Sequence, residues 1–168
     1  MSALTGDDII NFFDGKMKIL LYSDLLKYDN IDEVLSPYGK CCILYFWKRN
    51  PDNSVWGHWV AIRKGKRPMT IEIFNSYGDW IDKNLDKIPY LFKKENKEDF
   101  KQLSYLLYKS PYIIHYNENQ YQDNNSKVCG YWCVYFLKRD DLNLEQFQNL
   151  WDKKNFKQND KKLLKLLN

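Results

Sequence analysis

The feature that most constrains the fold of this chain is the stretch at residues 128–137, which contains no charged side chain. Polar residues at 123–126 precede it, so the pattern predicts a loop leading into a buried helix with Cys129 in its first turn. A thiol there lies against unpaired backbone N–H groups and the positive end of the helix dipole, which favour the thiolate. Cys129 is therefore a candidate nucleophile, although this stretch by itself also suits a buried structural cysteine.

Chain length and composition limit the possible architecture. The 168 residues, 44% hydrophobic and 17% aromatic, suffice for one globular domain with a complete core and are too few for two. We therefore expect a single domain over residues 1–168. The sequence has no signal peptide and no apolar run of membrane-spanning length, which predicts a protein of a reducing, intracellular setting without membrane attachment.

The spacing of the four cysteines argues against a disulfide framework. Cys41 and Cys42 are adjacent in a predicted strand, so their side chains point to opposite faces. Cys129 and Cys133 lie one helical turn apart, without the two-residue spacing typical of redox and zinc motifs. We expect free thiols, no metal site and no cofactor that the sequence requires.

Hydrophobic periodicity predicts helices at both ends of the chain and a sheet between them. Thr5, with Asp8 three residues later, has the pattern of a capping box and indicates the start of the first helix. The predicted fold is α/β, with a mixed sheet packed against the helix of Cys129. Further helices are expected at residues 22–26, 31–35, 81–109, 144–151 and 163–167, strands at 40–47, 57–63, 69–75 and 112–116, a turn at 51–54 and a hairpin at 65–68.

The chain has two histidines, His58 and His115, as candidates for a general base. His58 begins one predicted strand and Asn75 ends the next, and antiparallel pairing would bring them together at one edge of the sheet. The Asn75 amide oxygen would then accept the ring N–H of His58. Together with Cys129 this predicts a Cys-His-Asn site, in which Gln122 and the Cys129 backbone N–H stabilise an oxyanion. His115 has no spacing related to Cys129 and is interpreted as a structural strand residue.

The order and spacing of these residues resemble those of the adenains, the maturation proteases of adenoviruses. The motifs are Gly-His-Trp at 57–59, Phe-Asn-Ser-Tyr-Gly at 74–78 and Cys-Gly-Tyr-Trp-Cys at 129–133. The 17 positions from His58 to Asn75 and the seven from Gln122 to Cys129 are also similar to that family. The resemblance begins near the N-terminus, where residues 4–9 are similar to the family's first helix, and extends to about residue 137.

This resemblance implies an adenain-like cysteine endopeptidase, of the kind carried by virophages and Polinton-type elements. Such an enzyme would cut capsid or core precursors at small, glycine-containing sites during virion maturation, in the virion and in the cytoplasm or nucleus of a host cell. Trp59 would narrow the cleft, and Gly130 would leave room for the substrate backbone. The family also implies activation by DNA and by a short peptide disulfide-linked to a cysteine such as Cys41 or Cys42. We expect a monomer.

The sequence departs from that family at the residue that orients the histidine. Asn75 stands where adenains have a glutamate, so the orienting group would be neutral. Asp79 in the following turn is one alternative, and Glu72 is another, although strand parity places Glu72 on the opposite face. Gln120 competes with Gln122 as the oxyanion donor.

Two other functions stay open from the sequence. Proteases for SUMO and other ubiquitin-like proteins are similar in fold and in the order of site residues, so a deconjugating protease is the first alternative. The second is a non-catalytic domain that binds nucleic acid or protein through a lysine-rich C-terminus, although such a segment is more often a solvated helix face. The segment carries Lys153, Lys154, Lys157, Lys161, Lys162 and Lys165, against Asp152 and Asp160.

Overall fold

Five strands form one mixed sheet in the order in which they occur along the chain. The computed structural model describes residues 2–49, 55–88, 90–95, 97 and 99–168. The two edge strands pair in parallel with their neighbours, and the three central strands pair antiparallel. The strands are β1 (Lys18–Leu21), β2 (Lys40–Arg49), β3 (Val55–Lys64), β4 (Thr70–Phe74) and β5 (Ile113–Tyr116).

Helices cover both faces of this sheet. Strand alternation sends Trp59 and Ala61 into a core with α5, and sends Val60 and Ile62 into a second core on the other face. The α-helices are α1 (Gly6–Phe12), α2 (Ile31–Leu35), α3 (Tyr90–Glu95), α4 (Gln102–Tyr108), α5 (Cys129–Lys138), α6 (Leu144–Gln148) and α7 (Phe156–Leu167), with 3-10 helices at Tyr22–Lys27 and Ile81–Lys87. In the described part of the chain, no helix is both long and apolar enough to cross a membrane.

Most predicted elements are confirmed, with differences in their bounds. The capping box at Thr5 is present, α5 begins at Cys129, and Cys41 and Cys42 lie in opposite cores as free thiols. The helical region predicted at residues 81–109 is a 3-10 helix followed by two short α-helices. The prediction missed β1, because four residues at a sheet edge are too few to show a period. The turn predicted at 51–54 lies outside the described residues, and the single-domain extent stays a prediction.

A buried ion pair connects the sheet to the C-terminal end of α5. The Nε of Arg63 on β3 donates to Glu72 Oε1 on β4 at 2.9 Å. The same guanidinium donates to the carbonyl of Phe136 at 2.8 Å and to that of Leu142 at 2.7 Å. Glu72 Oε2 accepts the backbone N–H of Leu144, the first residue of α6. Because both charges are buried, each depends on these partners to offset the loss of water.

We expect Glu72→Ala to lower the free energy of unfolding by about 3–5 kcal/mol, since it leaves the buried Arg63 without its counter-charge. Urea unfolding measures the loss. Lys83→Ala removes an ion pair of two exposed side chains, Lys83 and Asp79, and is the matched control. It should change the free energy of unfolding by less than about 1 kcal/mol. Equal losses in the two variants would contradict this account of the Arg63–Glu72 pair.

Candidate active site

Cys129 is the first residue of α5, as its position after a polar loop predicts. Its side chain is 7% exposed, and its Sγ accepts the backbone N–H of Trp59 at 3.5 Å. Burial raises the pKa of the Cys129 thiol to about 11, because the hydrogen bonds from the N–H groups of Trp59, Gly130 and Cys129 itself lower the pKa by less. The backbone N–H groups at the helix N-terminus therefore favour the thiolate, as expected, but burial has the larger effect on the pKa. A base has to take the proton.

His58 and Asn75 form the hydrogen bond that the sequence predicts. Nε2 of His58 lies 2.7 Å from Oδ1 of Asn75. The amide orientation is determined on both sides, since Nδ2 donates to the Gly78 carbonyl at 2.6 Å and Oδ1 accepts the Tyr77 N–H at 3.1 Å. An amide oxygen only accepts, so Nε2 of His58 carries the proton, and Nδ1 of a neutral ring carries the lone pair.

The geometry of this contact differs in one respect from the prediction. Strand β3 begins at Val55, so His58 is its fourth residue, and pairing with β4 ends at Ala61 and Phe74. Asn75 follows the end of β4. The two side chains therefore meet beyond the paired part of the strands, where the turn after β4 folds back toward β3.

Two residues that the sequence analysis did not single out hold this pair. Asn117, just after β5, accepts the Asn75 N–H at 2.9 Å and donates to the Asn75 carbonyl at 2.6 Å. The ring of Tyr77 stacks on that of His58, with 4.8 Å between centroids. Burial and then the proximity of Cys129 raise the pKa of Tyr77, which keeps its hydroxyl protonated. The only feature of the sequence that indicates such a role for Asn117 is its position, as a polar residue directly after a predicted strand.

Gln122 is completely buried beside this pair, and its amide is fully engaged. Oε1 accepts the Ser76 hydroxyl at 2.6 Å. Nε2 donates to the Ser126 carbonyl at 3.1 Å, to the Ser126 hydroxyl at 3.0 Å and to the Tyr77 hydroxyl at 3.2 Å. An oxyanion would have to replace one of these acceptors.

The residues that the sequence offers as alternatives to Asn75 and Gln122 contact other groups. The Gln120 amide nitrogen donates to the Gln122 carbonyl at 2.8 Å and to Asn124 Oδ1 at 2.7 Å. Asp79 is exposed and pairs with Lys83, and Glu72 pairs with Arg63. His115 is exposed on β5, in register with Glu72 on β4.

An open cleft of about 380 Å³ runs past Cys129. The N-terminal segment forms part of its wall, because Trp59 Nε1 donates to the Leu4 carbonyl at 3.0 Å. A Cβ built on Gly130 would lie 3.0 Å from Leu4 Cβ and 3.3 Å from Trp59 Cδ1. The space that Gly130 leaves is therefore occupied by Leu4 and Trp59, so the prediction that a substrate backbone fills this space is wrong. The sequence pattern at residues 4–9 predicted the first helix but no role for Leu4 in the cleft. The cleft is lined by Ala3, Leu4, Thr5, Gly6, Ile19, Leu21, Leu44, Gly57, Trp59, Tyr77, Ser126, Lys127 and Cys129.

Comparison with known proteins shows that the chain is similar to a virophage protein. The uncharacterized protein V9 of Sputnik virophage is 38% identical over 152 residues, which cover 89% of this chain and 83% of V9. The chain belongs to the V9 family. No protein-family model matches the chain.

Among solved structures, the chain is similar to the crystal structure of the ASFV pS273R protease. The TM-score is 0.45 with 15% sequence identity, over 87% of this chain and 61% of the protease chain. The chain thus spans about three-fifths of the length of that protease. Within the described residues, no group of three or more His, Cys, Asp and Glu side chains is arranged to hold a metal ion.

We expect His58 to control the reactivity of Cys129. In the wild type, alkylation of Cys129 by iodoacetamide should reach half its maximal rate below about pH 7.5, as for other thiols paired with an imidazole. In His58→Ala the rate should rise only as pH approaches 11, the pKa to which burial raises this thiol. Mass spectrometry from pH 5 to 10 measures the rate at each cysteine.

Cys41 and Cys133 are internal controls, because burial raises the pKa of both thiols. His115→Ala is the matched variant and should leave the profile of Cys129 unchanged. A wild-type profile that coincides with that of His58→Ala would refute the pairing of His58 with Cys129.

Proposed function

We propose that the chain is a cysteine endopeptidase with Cys129 as its nucleophile and His58 as its base. The observation that carries this proposal is the hydrogen bond between His58 and Asn75. His58 directly precedes Trp59 in β3, and the backbone N–H of Trp59 donates to Cys129 Sγ. A buried thiol at a helix N-terminus that lines a cleft, together with an oriented imidazole on the residue before Trp59, supplies the groups required for acyl transfer.

In the first step, Nδ1 of His58 takes the proton of Cys129, and the sulfur attacks the peptide carbonyl carbon. The resulting imidazolium keeps its Nε2–H on Asn75 Oδ1, a neutral partner. The Cys129 backbone N–H and Gln122 Nε2 donate to the oxyanion, for which Gln122 exchanges its bond to Ser126 or Tyr77.

In the second step, the oxyanion collapses and His58 protonates the departing amine, which leaves a thioester on Cys129. His58 then takes a proton from a water molecule, whose oxygen attacks the thioester carbon. Collapse of this intermediate releases the carboxylic acid and returns the thiol.

For the substrate, we propose capsid or core precursors cut at small, glycine-containing sites during virion maturation. The indole of Trp59, which donates to the Leu4 carbonyl, lines the cleft together with Cys129, and in this proposal it restricts the cleft to small side chains. Membership of a virophage protein family supports a role in the virion or the infected cell. This activity would be adenain-like.

DNA and a short peptide are the activators that we propose by resemblance to adenain. The lysines of the C-terminal segment are exposed, as DNA binding requires. Cys41 and Cys42 are completely buried, so a disulfide link from a peptide to either sulfur requires that the surrounding core open.

The experiment that tests this function compares the wild type with Cys129→Ala on two substrates. One is a library of glycine-containing peptides, and the other is an intact ubiquitin-like precursor. Cleavage of the library by the wild type alone supports the endopeptidase. Cleavage of only the intact precursor favours a deconjugating protease. Absence of cleavage of either substrate, both with and without added DNA, together with salt-dependent DNA binding retained in Cys129→Ala, overturns the proposal in favour of a binding domain.

We expect Gln122→Ala to lower kcat by about 10²–10³, the usual effect of removing one oxyanion donor. Gln120→Ala tests the competing donor and should lower kcat by less than Gln122→Ala, because it removes only a bond to the Gln122 carbonyl and one to Asn124. Steady-state kinetics on the best library peptide give both values. A larger loss in Gln120→Ala than in Gln122→Ala would assign the donor role to Gln120.

We expect Trp59→Leu to admit larger side chains next to the cleaved bond, because the shorter side chain widens the cleft and loses its bond to Leu4. Sequencing of the cleaved library measures the preference. Trp151→Leu, which changes a buried tryptophan outside the cleft lining, is the control and should affect stability without affecting preference. An unchanged preference in Trp59→Leu would exclude Trp59 as the residue that selects small side chains.

A further inference from the structure

Helix α7 buries two adjacent polar residues, Asn159 and Asp160, which is unusual for a surface helix. The Asp160 carboxylate connects two elements. Its Oδ1 accepts the indole N–H of Trp132 on α5 at 2.9 Å, and its Oδ2 accepts the backbone N–H of Asp123 at 3.2 Å. The side chain is therefore bound on one side to the helix of Cys129 and on the other to the residue that follows Gln122.

Asn159 holds the main chain on the other side of Gln122. Its Nδ2 donates to the Tyr121 carbonyl at 3.1 Å and to the Asp152 carbonyl at 2.6 Å. Its Oδ1 accepts the Asp152 N–H at 2.9 Å, so both ends of the amide are engaged. Two consecutive residues of α7 thus bind the main chain immediately before and immediately after Gln122.

Gln122 itself is anchored from the sheet side. Its backbone N–H donates to the Ser76 carbonyl at 3.1 Å, and its side-chain oxygen accepts the Ser76 hydroxyl. The loop at residues 121–126, here the Gln122 loop, is therefore held between the turn after β4 and the buried side of α7. The donor in the proposed reaction lies between these two attachments.

Burial of the Asp160 carboxylate costs folding free energy, because the charged group loses contact with water. Burial raises the pKa of Asp160, whereas the hydrogen bonds from Trp132, Ser126 and Asp123 lower it. A carboxylate in such a place is retained at the expense of stability unless its contacts are used. An apolar residue in place of Asp160 could pack against Trp132, but it could not accept the backbone N–H of Asp123.

We propose that Asp160 and Asn159 are positioning residues, which hold the Gln122 loop so that the Gln122 amide meets the oxyanion. This inference rests on the proposed peptidase function. It assigns a role in the reaction to the C-terminal segment. On α7 of that segment, Asn159 and Asp160 face the loop, whereas the lysines of the helix are exposed. Displacement of an oxyanion donor by about 1 Å is enough to lower a rate by up to about 10²-fold.

The test is a double-mutant cycle between Asp160 and Gln122. Asp160→Ala should lower kcat for peptide cleavage by about 10–10²-fold, with little change in KM. The rate of iodoacetamide alkylation at Cys129 should stay at its wild-type value, because alkylation forms no oxyanion. In the Gln122→Ala background, Asp160→Ala should cause almost no further loss, since the group through which it acts is gone.

Two further variants separate positioning from folding. Asp160→Asn keeps the shape of the side chain and one acceptor oxygen, so it should lose less activity than Asp160→Ala. Both variants are assayed at a temperature at which urea unfolding shows that they are folded. Gln158→Ala changes an exposed neighbour on α7 and should match the wild type in kcat.

Three outcomes would overturn the inference. Asp160→Ala with wild-type kcat, or losses that multiply in Asp160→Ala/Gln122→Ala, would overturn the inference alone and leave the peptidase intact. A wild type that cleaves no peptide would overturn the proposed function and the inference with it.

Discussion

Strand β3 holds both ends of helix α5, and the candidate site depends on that attachment. At the N-terminal end of the helix, the backbone N–H of Trp59 reaches Cys129 Sγ. At the C-terminal end, the guanidinium of Arg63 binds the Phe136 carbonyl and stacks on the Phe136 ring. The helix therefore has little freedom to slide along the sheet. Because His58 directly precedes Trp59, the same strand determines where the sulfur and the imidazole lie.

The rest of the site consists of chain segments that leave the sheet just after β4 and β5. These segments bury polar side chains, which is tolerated because nearly every group has a partner. The Asn117 side chain binds the backbone N–H and carbonyl of Asn75, and the Asn75 side chain binds His58. The Ser76 hydroxyl connects the segment after β4 to the Gln122 side chain. These hydrogen bonds orient the His58 ring and the Gln122 amide, and the stacked ring of Tyr77 adds a contact to His58.

Much of this arrangement could be predicted from the sequence, and the parts that could not share a physical cause. The capping box at Thr5, the helix start at Cys129 and the His58–Asn75 contact all follow from local pattern and strand order. The surroundings of Gly130 and the raised pKa of Cys129 depend on what packs against them. For Gly130 the neighbour is Leu4, which lies more than a hundred positions away in the chain.

The same division applies to the whole protein. The sequence by itself determined the α/β architecture and the family membership that the V9 match makes plain, and it predicted the candidate residues for thiol chemistry. The tertiary structure alone decided that Leu4 closes one side of the cleft and that Asn117 supports Asn75. It also decided that Asn159 and Asp160 of the lysine-rich segment turn inward to the Gln122 loop. Periodicity reports which side of a helix or strand is buried. It does not report which distant main-chain groups a buried polar residue will meet, because those contacts exist only once the segments have packed together.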